Sequence, residues 1–141
     1  MNIPDLQLRT AYYSLLNEAV SSSGSPVKVY DVVPVAAPYP YIRLSNQSNV
    51  ENTCKGGNGF SSTIVVDIAT HFSGGFGGKK QSDQIANQIY GMVMYERHSL
   101  IMPDFYNIDT NLSNSGTFEE DDGKFIVLRK ILTFTHILSE K

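Results

Sequence analysis

The sequence predicts an α+β sandwich: a mostly antiparallel sheet with two helices packed on one face. Three observations carry this. Residues 5–20 and about 82–97 repeat apolar side chains at the spacing of an amphipathic helix. Five other stretches, about 27–33, 41–48, 60–72, 99–113 and 124–138, hold strand-forming residues, alternating most clearly in 60–72. The resulting order, α-β-β-β-α-β-β, suits helices laid on one face of a sheet. At 141 residues the chain is a single domain, long enough for one hydrophobic core.

In the first helix Leu8, Tyr12, Leu15 and Ala19 recur, Leu16 and Val20 widen the stripe, and Asp5 follows Pro4 as N-cap or first-turn acid. Residues 21–26 form a loop. In the next strand Val27, Val29 and Asp31 share one face, and Lys28, Tyr30 and Val32 the other. Pro34, Pro38 and Pro40 then make a stiff crossover, keeping residues 35–37 extended, because proline cannot donate to a ladder and restrains its predecessor.

Residues 46–59, rich in Asn and Gly, are expected as a polar projecting arm. Beyond it Ile64, Val66, Ile68, Thr70 and Phe72 share a face opposite Val65, Asp67, Ala69 and His71. In the second helix Ser82 or Asp83 is the expected cap, with Ile85, Ile89, Met92, Val93 and Glu96 on the periodic side. Gly91 within it costs roughly 1 kcal/mol against alanine, or lets the helix approach the sheet closely. Pro103 weakens the following strand, residues 119–123 read as an acidic turn, and the last strand slips in alternation near Arg129-Lys130.

The apolar fraction of 41% is ordinary for a globular domain, and the net charge of −3 is mild. The 11 Lys and Arg residues are scattered, so no basic stripe for nucleic acid is visible. Cys54 is the only cysteine, which excludes an intrachain disulfide. No charged-then-apolar leader and no membrane-length apolar run is present, so a cytosolic protein, or one assembled in a cytosol, is expected.

Catalytic and metal chemistry find little support. The glycine-rich stretch 73–80 invites a phosphate-binding reading, but a Walker loop needs glycine where Ser73 stands and a hydroxyl where Lys80 stands. A dinucleotide fingerprint would also need glycine at Lys80. A connector whose Phe76 touches a partner is the better reading. His71, His98 and His136 are far apart, with no His or Cys pair at ligand spacing, so neither a metal nor another cofactor is expected. His71 and His136 are expected at the sheet surface. Asp67, flanked by apolar residues, is the one carboxylate placed for partial burial, and a salt bridge or a solvent-facing position is expected for it rather than a role as general base. No Gly-x-Ser-x-Gly elbow occurs, and only Lys55 puts charge beside Cys54.

One ordered set of short motifs carries more information. It runs from Tyr30-Asp31-Val32-Val33-Pro34 through Tyr39-Pro40-Tyr41-Ile42 and the strand from Ile64 to Phe72. It continues through the glycine connector and Ile85-Ala86-Asn87-Gln88-Ile89 to Asp121-Asp122-Gly123 before the last strand. This set resembles the tail-completion or tail-terminator family of tailed bacteriophages, also described as tail-to-head joining proteins. The chain departs from the family in its longer polar arm. It also has Thr70-His71-Phe72 where a tryptophan is often found.

The resemblance implies a non-enzymatic virion protein at the head–tail junction, assembled in the host cytoplasm without membrane or cofactor. Copies would form a ring, six being the expected number, that ends the tail tube and meets the head connector while DNA passes non-specifically through the lumen. A neck or head-completion adaptor ring, possibly of twelve subunits, is the nearest alternative. A small-ligand enzyme on the same sandwich is the alternative of another class.

A ring needs a heterologous interface that closes. The expected contacts are Asn49, Val50, Asn52, Lys55, Asn58 and Phe60 in the arm, with Phe76, Lys79 and Lys80 in the glycine loop. The acids Glu119, Glu120, Asp121 and Asp122 are expected to face the lumen or an adjacent ring.

Overall fold

The computed structural model describes residues 2–53, 57–72, 78–95, 100–121, 123 and 125–141. Helix α1 (Asp5–Leu16) leads through the two-residue strands β1 (Ser21–Ser22) and β2 (Ser25–Pro26) into β3 (Lys28–Tyr30). Then follow β4 (Tyr41–Glu51), β5 (Gly59–Phe72), α2 (Lys79–Tyr95), β6 (Phe105–Asp121) and β7 (Ile126–Glu140). The main sheet has the order β3-β4-β5-β7-β6, and only the β3–β4 pair is parallel. The predicted α+β sandwich is therefore what forms.

The alternation of β5 works as read: Ile64, Val66, Ile68 and Thr70 are buried under the helices. The cross-strand neighbours Ile42, Leu44, Leu132, Phe134 and Leu138 join that layer. Leu8, Ala11, Tyr12 and Leu16 of α1 cover it, as do Ile85, Ala86, Ile89 and Val93 of α2. Each such aliphatic side chain contributes roughly 1.5–3 kcal/mol on leaving water, and this layer holds the fold together.

Several element bounds differ from the sequence expectation. Helix α1 stops at Leu16, four residues early, because Asn17 turns to extended backbone and its Oδ1 accepts the Val29 N–H at 3.1 Å. Val20 still reaches the core, held by Val27 N–H donating to Val20 O at 2.8 Å. The proline-rich crossover is not extended at residues 35–37: it folds into a turn, with Ala37 N–H donating to Pro34 O.

Much of the expected arm, 46–59, is strand, and residues 54–56 of it lie outside the described residues. Strand β4 continues to Glu51 and pairs with β5 as far as Phe60. Its polar side chains serve α1, since Asn49 Nδ2 donates to Asp5 Oδ1 and Gln47 Nε2 to Asp5 O. Helix α2 starts at Lys79, so Ser82 is no cap; it is buried, donating to Lys79 O at 2.9 Å.

The acids 119–121 belong to β6 rather than to a turn, pairing with residues 126–128 of β7. Strand β7 runs beside β5 without a register shift; the irregularities lie in β4 at Leu44/Gln47 and in β6 at Asn107/Asp109 and Leu112/Asn114. A Cβ built on Gly91 meets nothing within 4 Å, so close packing is not the reason for that glycine.

Candidate assembly surfaces

The face of the sheet away from the helices carries the charged centre of the molecule. Asp67 is 5% exposed there, and Arg129 Nη1 donates to its Oδ2 at 3.1 Å. Arg129 Nε also donates to Glu120 Oε2 at 3.1 Å. Burial pushes the Asp67 carboxyl upward, opposed by Arg129 and Arg43. Burial works against the charge of Arg129 too, yet its hydrogen bonds and Coulombic attraction to Glu120, Asp67 and Tyr41 raise it overall. The arginine is a fixed cation clamping β5, β7 and β6. Of the two positions expected for Asp67, the salt bridge forms and the solvent-facing one does not; its partner lies 62 residues away and has no local signal.

An aromatic strip crosses the same face. Tyr39 lies 5.2 Å from Tyr41 and 4.6 Å from His71, and His71 lies 5.1 Å from Phe125. The crossover thus delivers Tyr39 onto the end of β5. His71 is exposed as expected; His136 is not. It is fully buried on the helix side, bonded to Tyr12, Thr110 and Asn107, and is no neighbour of His71.

The predicted contact residues scatter. Val50 and Asn52 are exposed near the β4–β5 connection, and Lys79 and Lys80 at the start of α2. Asn49 is tied to Asp5 and Ser62, Asn58 Nδ2 donates to Glu140, and Phe60 packs edge-on against Phe105. Glu119 and Asp121 are exposed and Glu120 is held by Arg129. Lys55, Phe76 and Asp122, like Cys54, lie outside the described residues.

A groove of about 580 Å³ runs past Lys79, Lys80, Gln81, Gln84 and His71. Its described lining offers the His71 imidazole, the Ser23 hydroxyl, two ammonium groups and two amides. Among the described residues, no three His, Cys, Asp or Glu side chains gather as metal ligands, and no helix is long and apolar enough to cross a membrane.

Two helices on one face of a five-stranded sheet, with β6 as its long edge strand, define a two-layer α+β module. No protein-family model matches the sequence, and no curated protein matches it. Among solved structures, the fold is similar to a chain of the "Virion of native gene transfer agent (GTA) particle", with a TM-score of 0.64 and 17% identity. The match covers 96% of this chain and 90% of that one. At this identity the likeness is one of fold.

Proposed function

We propose that this chain is a structural subunit of a phage-like virion, forming a ring at the head–tail junction that ends the tail and joins it to the head connector. The observation that carries this reading is the fold likeness to a virion-particle chain, which runs nearly the full length of both chains. The motifs from Tyr30 to Gly123 support the same reading independently. In it the chain has no catalytic role, DNA passes through the lumen without sequence-specific contact, and the ring has six copies. The exposed Val50, Asn52, Lys79 and Lys80 remain available to neighbouring subunits, and Glu119 and Asp121 to a neighbouring subunit or ring.

Native mass spectrometry with electron microscopy of the purified protein tests the proposal. A closed ring of six, located by antibody labelling between head and tail, is the expected result. A ring of twelve would move the chain to the neck adaptor. A monomer at every concentration, missing from purified particles, would overturn the reading.

A further inference from the structure

The two sides of the main sheet are finished differently. On the β3 side the strand is three residues long, and backbone groups of Val29 and of Val27 just before it are occupied by the chain itself. Val29 N–H donates to Asn17 Oδ1, Glu18 N–H donates to Val27 O, and Val27 N–H donates to Val20 O. On the other side β6 is 17 residues long and, among the described residues, pairs only with β7. Its protective devices sit in its first half: two register shifts, and Asp109 Oδ1 accepting the Thr110 N–H.

Residues 114–121 have none of these. They pair with residues 126–133 without a shift and every one is exposed, including Phe118 at 47%. They hold no proline and no lysine, and their charges, Glu119, Glu120 and Asp121, are confined to the last three positions, which leaves 114–118 uncharged. A second open edge exists on β4. There β3 covers only residues 41–43; past the register shift at Leu44/Gln47, residues 47–51 pair regularly with β5, and among the described residues no strand lies beside them on the other side.

We infer that the free half of β6, residues 114–121, adds in antiparallel fashion to the free half of β4, residues 47–51, of a second copy of this chain. The inference rests on the ring reading and names its junction. Direction follows from topology. β6 runs antiparallel to β7, β7 to β5 and β5 to β4, so β6 and β4 of one copy point opposite ways. Rotation about an axis near the strand direction preserves that relation, so the β6 edge meets the next β4 antiparallel. Charge agrees. An antiparallel junction brings Glu119, Glu120 and Asp121 toward the Arg43 end of the neighbouring β4, whereas a parallel one would set them beside Glu51.

The free half of β6 lies toward the Phe72 end of the sheet and the free half of β4 toward the Gly59 end, so the junction is staggered. A stagger repeated in one sense closes when the strands lean against the ring axis, as in a barrel.

Two edge-blocked variants test this. Lysines at exposed sites along β6 (Asn114→Lys with Gly116→Lys) and along β4 (Ser48→Lys with Val50→Lys) hinder strand addition. A Cβ on Gly116 meets nothing within 4 Å, and circular dichroism verifies that each variant is folded. Each variant alone is expected as a monomer by native mass spectrometry. Their mixture is expected to give a heterodimer and nothing larger, because one compatible junction remains. Rings formed by either folded variant would overturn the inference while leaving the ring reading intact. A homodimer of the β4-blocked variant would replace it with a two-fold β6–β6 contact. A wild-type chain that stays monomeric overturns the ring reading and this junction with it.

Discussion

Tyr12 Oη lies 2.5 Å from Nε2 of His136, joining helix α1 to strand β7 inside the core. On the other side of the ring, Nδ1 lies 3.2 Å from Asn107 Oδ1 and 3.1 Å from Thr110 Oγ1, both on β6. An Nδ1–H donating to the Asn107 carbonyl leaves Nε2 to accept the tyrosine O–H. One neutral imidazole thus links a helix, an inner strand and the edge strand. Burial pushes the Tyr12 phenol well up and His136 down to about 4.

The first expected consequence is acid sensitivity. In the unfolded chain the imidazole protonates near ~6.5, while the folded one resists until about 4. Unfolding therefore takes up a proton between these values. The contribution is complete above the unfolded value and is lost as pH falls toward about 4, by roughly 3 kcal/mol. Urea unfolding at a series of pH values should show this slope, and His136→Leu should flatten it. An equal slope in the variant would remove His136 as its source.

Tyr12→Phe keeps the ring that packs 6.1 Å from Phe134 and removes only the O–H. His136 Nε2 is then buried without a donor, at a cost of about 1–3 kcal/mol. The denaturation midpoint should drop with the slope unchanged, and an unaltered midpoint would show that the hydrogen bond contributes nothing net.

Arg129→Ala leaves Asp67 as a buried carboxylate without its ion pair. Breaking such a pair costs about 3 kcal/mol or more. Glu120→Gln should cost well under 1 kcal/mol, because its side chain is 50% exposed and its pair with Arg129 is screened. Chemical denaturation of the two variants orders the effects, and the reverse order would mean that Glu120 is what holds Arg129 in place.

Two glycines should respond oppositely to alanine. A Cβ on Gly59 would sit 2.9 Å from the backbone oxygens of both Asn52 and Leu138, so Gly59→Ala must displace backbone, costing about 1–3 kcal/mol. Gly91→Ala enters open space in the middle of α2 and should stabilise by roughly 0.5–1 kcal/mol. Differential scanning calorimetry reads both, as a lower melting temperature for the first and a higher one for the second.

Where a sequence reading succeeded, its signal was local. The alternation of residues 64–70 fixes which face of β5 is buried, because strand geometry sends successive side chains to opposite sides. Where the reading failed, a distant partner decided. Asn49 reads as a solvated arm residue, yet its amide is bonded to Asp5 on α1. Ser82 reads as a helix cap, yet the helix had already begun at Lys79. His136 reads as a surface residue because nothing near it in sequence announces Tyr12, 124 residues away.

By itself the sequence determined the fold class, the two helical stripes and the inner face of the sheet, all set by periodicities that need no partner. Only the tertiary structure decided that Asn17 takes up the Val29 N–H of β3 while, among the described residues, no strand lies beside the outer half of β6 on its far side. Every non-proline residue carries the same backbone donor and acceptor, and whether they are used depends on which segments the fold brings alongside.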